Sequence, residues 1–101
     1  GRFKDLLSCQ GKRFQLNEVE VALRRVSEVV EPSLEYVVVK PSADQRPLLV
    51  RVESAAPDPD AVAARCAAAI MEGVGVRAEV SVVGRGELPR YGYKATRLVD
   101  A

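Results

Sequence analysis

Two apolar segments separated by a polar turn decide the fold of this chain. The first, Leu34–Lys40, reads Leu-Glu-Tyr-Val-Val-Val-Lys, and the second, Leu48–Glu53, reads Leu-Leu-Val-Arg-Val-Glu. Both are rich in the β-branched and aromatic residues that fit a pleated strand, and alternate residues of the second fall on opposite faces. Residues 42–46 between them are polar. The sequence therefore predicts two neighbouring antiparallel strands.

Helical periodicity precedes this pair of strands. Apolar residues recur at spacings of three and four, which places on one helical stripe Leu16, Val19, Leu23, Val26 and Val30. Asn17 is a candidate N-cap, and Glu20 three residues later completes a pattern like a capping box. Pro32 is incompatible with a continuing helix. The sequence predicts one helix over residues 16–30.

A second helical stretch follows the strands. Asp58 is placed to cap it, and Pro59 suits the first helical position because an N–H there would have no helical partner. Apolar residues then recur near period four, at Val62, Cys66, Ile70 and Val74. Gly73 or Gly75 provides the stop. A second helix is therefore expected between the loop at residues 55–60 and the glycines.

The two ends complete the order of elements. Residues 2–14 predict a short strand or a hairpin that turns at Gln10–Gly11. The alternation over Val76–Val83 predicts a third long strand, and residues 84–101 indicate a surface loop with a short C-terminal turn. Helices separated by strands over ~100 residues favour a single α+β domain spanning 1–101. We expect a small, mostly antiparallel sheet with two helices packed on one face, plus an N-terminal hairpin and a C-terminal loop carrying a lysine.

Composition argues against several classes of function. The 101 residues suit one domain, and 15 Lys and Arg against 14 Asp and Glu leave a net charge of +1, unlike a strongly basic nucleic-acid coat. Three tyrosines and two phenylalanines, with no aromatic pair on a central strand, make single-stranded RNA binding a weak alternative. The sequence contains no run of 18 apolar residues, so no membrane span is expected.

Side chains suited to catalysis are scarce. The chain has no histidine, and neither a Ser-His-Asp set nor metal-ligand spacing can be assembled, so no metal site is expected. Two cysteines are too few for a disulfide scaffold and suit a reducing, cytoplasmic compartment. Cys66 is interpreted as a packed core thiol, Cys9 as a free thiol near a loop, and Glu18, Glu20 and Glu28 as a solvated helical face. These features alone favour a binding or regulatory module over an enzyme.

Recognisable motifs stand at both ends of the chain. Gly1–Leu7 reads Gly-Arg-Phe-Lys-Asp-Leu-Leu, Gly11–Glu20 reads Gly-Lys-Arg-Phe-Gln-Leu-Asn-Glu-Val-Glu, and Leu88–Asp100 reads Leu-Pro-Arg-Tyr-Gly-Tyr-Lys-Ala-Thr-Arg-Leu-Val-Asp. The first two resemble the hinge motif of the adenylate-forming superfamily: acyl-CoA synthetases, nonribosomal-peptide adenylation domains and firefly luciferase. The third resembles the tail of phenylacetate-CoA ligases, Leu-Pro-Arg-Ser-Glu-Gly-Lys-Ala-Lys-Arg-Val-Ile-Asp. The middle of the chain fits the family's C-terminal domain in element order.

The resemblance implies roles for the residues near the nucleotide. Lys94 falls on the lysine that reaches the carboxylate and the α-phosphate during adenylation. Pro89, Gly92 and Tyr93 shape the loop that carries it, and Tyr93 stands where the family usually has glycine. Arg2 falls on the arginine expected near the AMP ribose. The chemical requirement is a placed cation, because a carboxylate attacking a phosphate brings two anions together.

The resemblance implies a second set of roles around the hinge. Lys4 falls at the hinge position, where the family has Asp or Lys. Gly11 and Lys12 belong to the loop that runs close to the pantetheine arm in the transfer pose, where a side chain at position 11 would block the passage. Arg13 falls on a basic position that meets the nucleotide or the thiol substrate.

Together these matches imply the mobile C-terminal lid of an AMP-forming acid ligase. A large N-terminal adenylation domain, absent from the 101 residues, would bind ATP, Mg²⁺ and a carboxylic acid, with the tail favouring an aryl or arylacetic acid. The lid would serve acyl adenylation and then acyl transfer to coenzyme A or to the phosphopantetheine of a carrier protein. The chain is then either a fragment of a longer protein or a separately encoded lid; we favour the fragment, and we expect the chain to be inactive alone. The alternative is a free-standing ferredoxin-like module that binds a small ligand or pairs through its sheet edge.

Overall fold

Short strands and helices alternate along the chain in the order expected of an α+β domain. The computed structural model describes residues 6–31, 34–41, 46–88 and 97–99. Its elements, in chain order, are β1 (Leu6–Cys9), β2 (Lys12–Gln15), α1 (Leu16–Leu23), α2 (Ser27–Val30), β3 (Tyr36–Val39), β4 (Leu48–Glu53), α3 (Pro59–Gly73), β5 (Ala78–Val83) and β6 (Leu98–Val99).

A four-stranded sheet in the order β5-β4-β3-β6 carries the fold. β3 and β4 pair antiparallel, with Tyr36 opposite Val52, which confirms the predicted pair and the α+β class. β5 pairs parallel with β4 and β6 pairs parallel with β3, so the sheet is mixed. β1 and β2 form a separate antiparallel hairpin that turns at Gln10–Gly11, as predicted.

The hydrophobic core lies between this sheet and the helices. The two predicted helical stripes meet alternate strand residues there, and the core includes Val19, Leu23, Val38, Val50, Val62, Cys66 and Ile70. The hairpin adds Leu7, Cys9 and Phe14 to the same cluster. Burying one aliphatic side chain contributes ~1.5–3 kcal/mol, so apolar packing holds the hairpin against the domain.

The predicted helix over residues 16–30 is wrong as a single element, because α1 ends at Leu23 and α2 begins at Ser27. The N–H of Arg25 bonds the carbonyl of Ala22 at 3.1 Å, three residues back, and Val26 is extended with φ −103°. Val26 nevertheless stays buried, so the apolar periodicity continues through the break and does not reveal it.

The predicted cap at Asn17 is also wrong. Gln15 is the N-cap, and its N–H donates to Glu18 Oε2 at 2.6 Å, so the capping box lies two residues earlier. The second helix begins as predicted, with Asp58 Oδ1 accepting from the N–H of Ala61 at 3.1 Å and Pro59 in its first turn. Within the described ranges no helix is long and apolar enough to cross a membrane.

Two further expectations change at the ends of the chain. The tail does not end in a turn where it is described, because Leu98–Val99 forms β6: Val38 N–H donates to the carbonyl of Arg97, and Lys40 N–H to that of Val99, both at 2.7 Å. Cys9 is fully buried, since strand alternation turns it toward the core although its neighbours in sequence are polar. Both cysteines are free thiols.

Candidate functional site

The turn of the hairpin is the part of the candidate site that the structure describes most completely. Gln10 has φ 54° and Gly11 has φ 76°, so two consecutive residues occupy the left-handed region that favours glycine. Gly11 is exposed, and no described atom lies within 4 Å of the place where a Cβ would stand. The turn therefore leaves space beside the exposed residue Gly11, where a side chain would stand.

The residue before this glycine is tied to the sheet. Gln10 Nε2 donates to the carbonyl of Arg77 at 3.0 Å and to that of Arg46 at 3.2 Å, while Gln10 Oε1 accepts from the N–H of Arg77 at 2.9 Å. Arg77 directly precedes β5, and Arg46 lies two residues before β4. Sequence reasoning missed Gln10; the only signal was a long amide side chain in the turn position ahead of a glycine.

Lys12 and Arg13 follow the turn on β2, and both are exposed. The side chain of Lys12 lies across Gly75, where a Cβ built on the glycine would come within 3.1 Å of both Cε and Nζ. Gly75 belongs to the connection between α3 and β5. Strand alternation directs Arg13 to the opposite face from Lys12. Lys12 and Arg13 are adjacent in sequence but therefore project from opposite faces of β2.

Six of the predicted site residues lie outside the described residues: Arg2, Lys4, Pro89, Gly92, Tyr93 and Lys94. What the structure describes is how the two ends of the segment that carries the lysine are held. On the upstream side, the carboxylate of Glu53 accepts from the N–H of Gly86 at 2.9 Å and from that of Leu88 at 2.8 Å. Glu53 is fully buried at the end of β4. Hydrogen bonds to an ionised carboxylate are stronger than those between neutral groups, so they hold the main chain at Gly86 and Leu88 in place.

The downstream side is held by Arg97. Its Nη1 lies 3.1 Å from Glu35 Oε1 and 3.4 Å from the carbonyl of Tyr36, and its guanidinium stands 4.9 Å from the centre of the Tyr36 ring. Both partners of the ion pair are partly buried, with 29% of Arg97 and 17% of Glu35 exposed. A half-buried pair with a stacked guanidinium is stronger than a surface ion pair.

Glu20 is not part of a simple solvated face, which corrects the sequence interpretation. Glu20 Oε1 accepts from the hydroxyl of Tyr36 at 2.9 Å, and Oε2 pairs with Arg24 at 3.1 Å. Burial, together with the hydrogen bond to and charge of Glu20, raises the pKa of Tyr36 far above its usual value, against the opposing charges of Arg97 and Arg24. This network joins α1 to β3 beneath the anchor of Arg97.

The other two helical acids also differ in their surroundings. Glu28 is half-buried and pairs with Arg65 across α2 and α3, so it too is not simply solvated, whereas Glu18 is exposed as expected. Burial, followed by the charge of Glu28, raises the pKa of Cys66 to about 11, although Arg65 lowers it in part. A protonated, buried thiol is a poor nucleophile, which agrees with a packing role.

In the described ranges, no cluster of three or more His, Cys, Asp or Glu is placed so that it could hold a metal ion. Among curated proteins, no sequence matches the chain. A profile of the family described as "AMP-binding enzyme C-terminal domain" matches residues 16–101, which is most of the chain. The chain belongs to this family. The resemblance inferred from the end motifs is thereby confirmed for the AMP-binding C-terminal domain.

Solved structures of ligases contain domains similar to this AMP-binding C-terminal domain. A 2-hydroxyisobutyryl-CoA ligase in the postadenylation state with an acyl-adenylate aligns over 100% of this chain at 25% identity and TM-score 0.83. The same ligase in the thioesterification state, with 2-HIB-AMP and CoA, aligns over 99% at 25% identity and TM-score 0.77. The chain spans only 22% of that ligase.

A third match compares domain with domain. A domain of phenylacetate-coenzyme A ligase from Bacteroides vulgatus aligns over 95% of this chain and 92% of its own length, with 19% identity and TM-score 0.72. At that identity the match supports the fold of the AMP-binding C-terminal domain. It does not bear on the choice of acid.

Proposed function

We propose that this chain is the mobile lid of an AMP-forming carboxylic acid ligase, which first adenylates an acid with ATP and then transfers the acyl group to a thiol. One observation carries the proposal: this chain, which belongs to a family of AMP-binding C-terminal domains, aligns over 99–100% of its length with a CoA ligase in both a postadenylation and a thioesterification state. A domain that serves both half-reactions has to present two different surfaces in turn. The hairpin turn and the segment that contains Lys94 are two such candidates.

Lys94 serves the first half-reaction in this proposal. A carboxylate oxygen attacks the α-phosphorus of ATP, the bond to pyrophosphate breaks, and acyl-AMP forms. Negative charge meets negative charge at that step, and an ammonium placed between carboxylate and phosphate offsets the repulsion. Arg2 binds near the ribose, while Pro89, Gly92 and Tyr93 shape the loop. The anchors at Glu53 and Arg97 support this role because they hold the chain immediately before and immediately after the segment that carries the lysine.

The hairpin serves the second half-reaction in this proposal. The thiol attacks the acyl carbonyl of the adenylate, the bond to the phosphate oxygen breaks, and AMP leaves. The exposed backbone at Gly11 leaves room for a pantetheine arm, and Lys12 and Arg13 contribute positive charge on the two faces of β2. Lys4 is the hinge about which the domain turns between the two poses.

The partner groups follow from this chemistry. ATP, Mg²⁺ and the acid would be held mainly by an adenylation domain that acts with this chain. Coenzyme A or a carrier-protein phosphopantetheine is the acceptor. The similarity of residues 88–100 to phenylacetate-CoA ligases favours an aryl or arylacetic acid. The free, buried Cys9 and Cys66 suit a reducing cytoplasm.

The proposal is tested by separating the two half-reactions in the protein that carries this chain. We expect Lys94→Ala to lower acid-dependent pyrophosphate exchange by roughly 100-fold or more, because a preorganised charge is lost from the transition state. Thiol transfer from preformed acyl-AMP should remain near the wild-type rate. Lys40→Ala, at an exposed lysine beside the sheet, is the matched control and should leave both rates unchanged. Equal loss of both half-reactions, or of neither, would overturn the proposal.

A further inference from the structure

Gln10 occupies a backbone conformation that its residue type does not favour. Its φ of 54° is left-handed, and glycine or asparagine would adopt that conformation more readily. A strained residue persists where the surrounding structure holds it. In this protein the side chain of Gln10 holds the residue in place, because it makes three hydrogen bonds of 2.9 to 3.2 Å to main-chain groups outside its own hairpin.

The carboxamide of Gln10 pairs with Arg77 as another strand residue would. Oε1 accepts from the N–H of Arg77 while Nε2 donates to its carbonyl, so both polar atoms of one peptide residue are matched. The same carbonyl of Arg77 also accepts from the N–H of Leu48 at 2.9 Å, at the start of β4. Gln10 therefore binds at the point where β4 and β5 begin their ladder.

A third contact extends this anchor to the segment that enters β4. The carbonyl of Arg46 accepts from Gln10 Nε2 at 3.2 Å and from the thiol of Cys9 at 3.4 Å. Apolar burial of Leu7 and Phe14 also holds the hairpin, but apolar packing has little directional preference. The hydrogen bonds of Gln10 are directional, so they define the angle at which the turn stands on the sheet.

We propose that Gln10 is a positioning residue for acyl transfer, whose carboxamide fixes the hairpin to the start of β4 and β5 so that the Gly11 backbone is presented at a set angle. This inference rests on the proposed function, since it assigns the hairpin to the transfer pose. It goes beyond that function in naming the side chain that orients Gly11. Gln10 itself need not touch the substrate.

The chemistry of the anchor dictates the variants. Gln10→Met keeps the approximate length of the side chain and removes the amide donor and acceptor. Gln10→Glu keeps acceptors but loses the donor, so it faces the carbonyls of Arg46 and Arg77 with a second negative oxygen. Gln10→Gly relieves the left-handed backbone and removes the side chain altogether, which separates strain from anchoring. Ser8→Ala is the matched control, at an exposed position of β1 in the same hairpin.

Hydrogen–deuterium exchange tests the anchor itself without reference to activity. In the protein that carries this chain, Gln10→Met should speed exchange of the Arg77 amide by 10-fold or more, because that N–H loses its acceptor. Exchange at Leu48, whose N–H bonds the Arg77 carbonyl, should change little. Unchanged protection at Arg77, with the variant folded, would overturn the proposal at its first step.

The two half-reactions test the role of the anchor. We expect Gln10→Met, Gln10→Glu and Gln10→Gly each to slow acyl transfer from preformed acyl-AMP by 10-fold or more while pyrophosphate exchange stays within twofold of wild type. Normal transfer in Gln10→Gly, or equal loss of both half-reactions in all three variants, would overturn the proposal. These outcomes leave the Lys94→Ala test intact, so failure of the anchor is distinguishable from failure of the proposed function.

Discussion

The main chains of Glu35 and Glu53 are joined by a 3.1 Å hydrogen bond from the N–H of Glu53 to the carbonyl of Glu35. Their side chains hold the two ends of one segment: Glu53 binds the backbone at Gly86 and Leu88, and Glu35 binds Arg97. A residue just before β3 and the last residue of β4 therefore hold the described chain on the two sides of residues 89–96.

Weakening the upstream anchor should affect stability and adenylation together. Glu53→Gln keeps the length of the side chain but removes its charge and places an amide NH₂ against one of the two N–H groups that the carboxylate binds. A hydrogen bond to a charged group contributes ~1.5–3 kcal/mol, so we expect a loss on the order of 2 kcal/mol in the free energy of unfolding. Urea denaturation measures that loss, and pyrophosphate exchange should fall more than acyl transfer. Glu79→Gln, at an exposed position of β5, should change neither quantity.

Two glycines with similar backbone geometry should separate the two half-reactions. Gly11 has φ 76° and Gly86 has φ 88°, and at neither position does a described atom lie within 4 Å of an added Cβ. Alanine at either site should cost ~1–2 kcal/mol in unfolding free energy through the left-handed backbone alone. Gly11→Ala should then slow acyl transfer and Gly86→Ala should slow adenylation. If the two variants slowed acyl transfer and adenylation in the same proportion, the assignment of the hairpin to acyl transfer and of the lysine segment to adenylation would be wrong.

The raised pKa of Tyr36 predicts that the folded protein loses stability at alkaline pH. The pKa of this tyrosine is raised in the folded protein, so above the ordinary tyrosine pKa of about 10 the unfolded chain gives up a proton that the folded chain keeps. Stability contributed by the protonated phenol is complete below about pH 10 and falls as the pH rises further. We expect the unfolding free energy of wild type relative to Tyr36→Phe to be flat from pH 7 to 9 and to decline by pH 11. A difference that does not change with pH would contradict the raised pKa.

The buried thiols should be inert in the native protein. Cys66 has no exposed surface and a pKa raised to about 11, so little thiolate forms at neutral pH. Iodoacetamide at pH 8 should therefore leave Cys66 unmodified in native buffer and alkylate it rapidly in urea, as followed by peptide mass spectrometry. Cys66→Ser should cost on the order of 1–3 kcal/mol, since it buries a hydroxyl without a designed partner. Rapid native alkylation at Cys66 would contradict its placement in the core.

Local chemistry predicted much of this fold. The antiparallel pair β3–β4, the cap at Asp58 and the hairpin turn at Gln10–Gly11 all follow from short-range patterns of residue type. The break between α1 and α2 does not, because Val26 remains buried and the apolar spacing continues through it. Parallel pairing of β5 with β4 depends on how a helical crossover returns to the sheet, and no residue pattern within β5 encodes its partner.

The candidate site shows the same difference between residues predicted from local motifs and residues whose contacts are distant in sequence. Gly11, Lys12 and Arg13 were predicted from a contiguous motif, and their exposure on the hairpin is compatible with the proposed roles. Gln10 and Glu53 were missed because their partners, Arg77 and Leu88, are distant in sequence. A side chain that bonds a remote main-chain group leaves no periodic signal. Such residues become visible only when the strands are placed.

The attachment of the hairpin to the domain has a consequence for measuring domain rotation. Since Gln10 and Lys12 both contact the connection that runs from α3 into β5, the turn is expected to travel with the sheet as one body. A dye carried on Ser8→Cys, with a second dye on a partner domain, would then give a single-molecule distance that reports rotation of the whole domain. Local flapping of two short strands would contribute little to that signal.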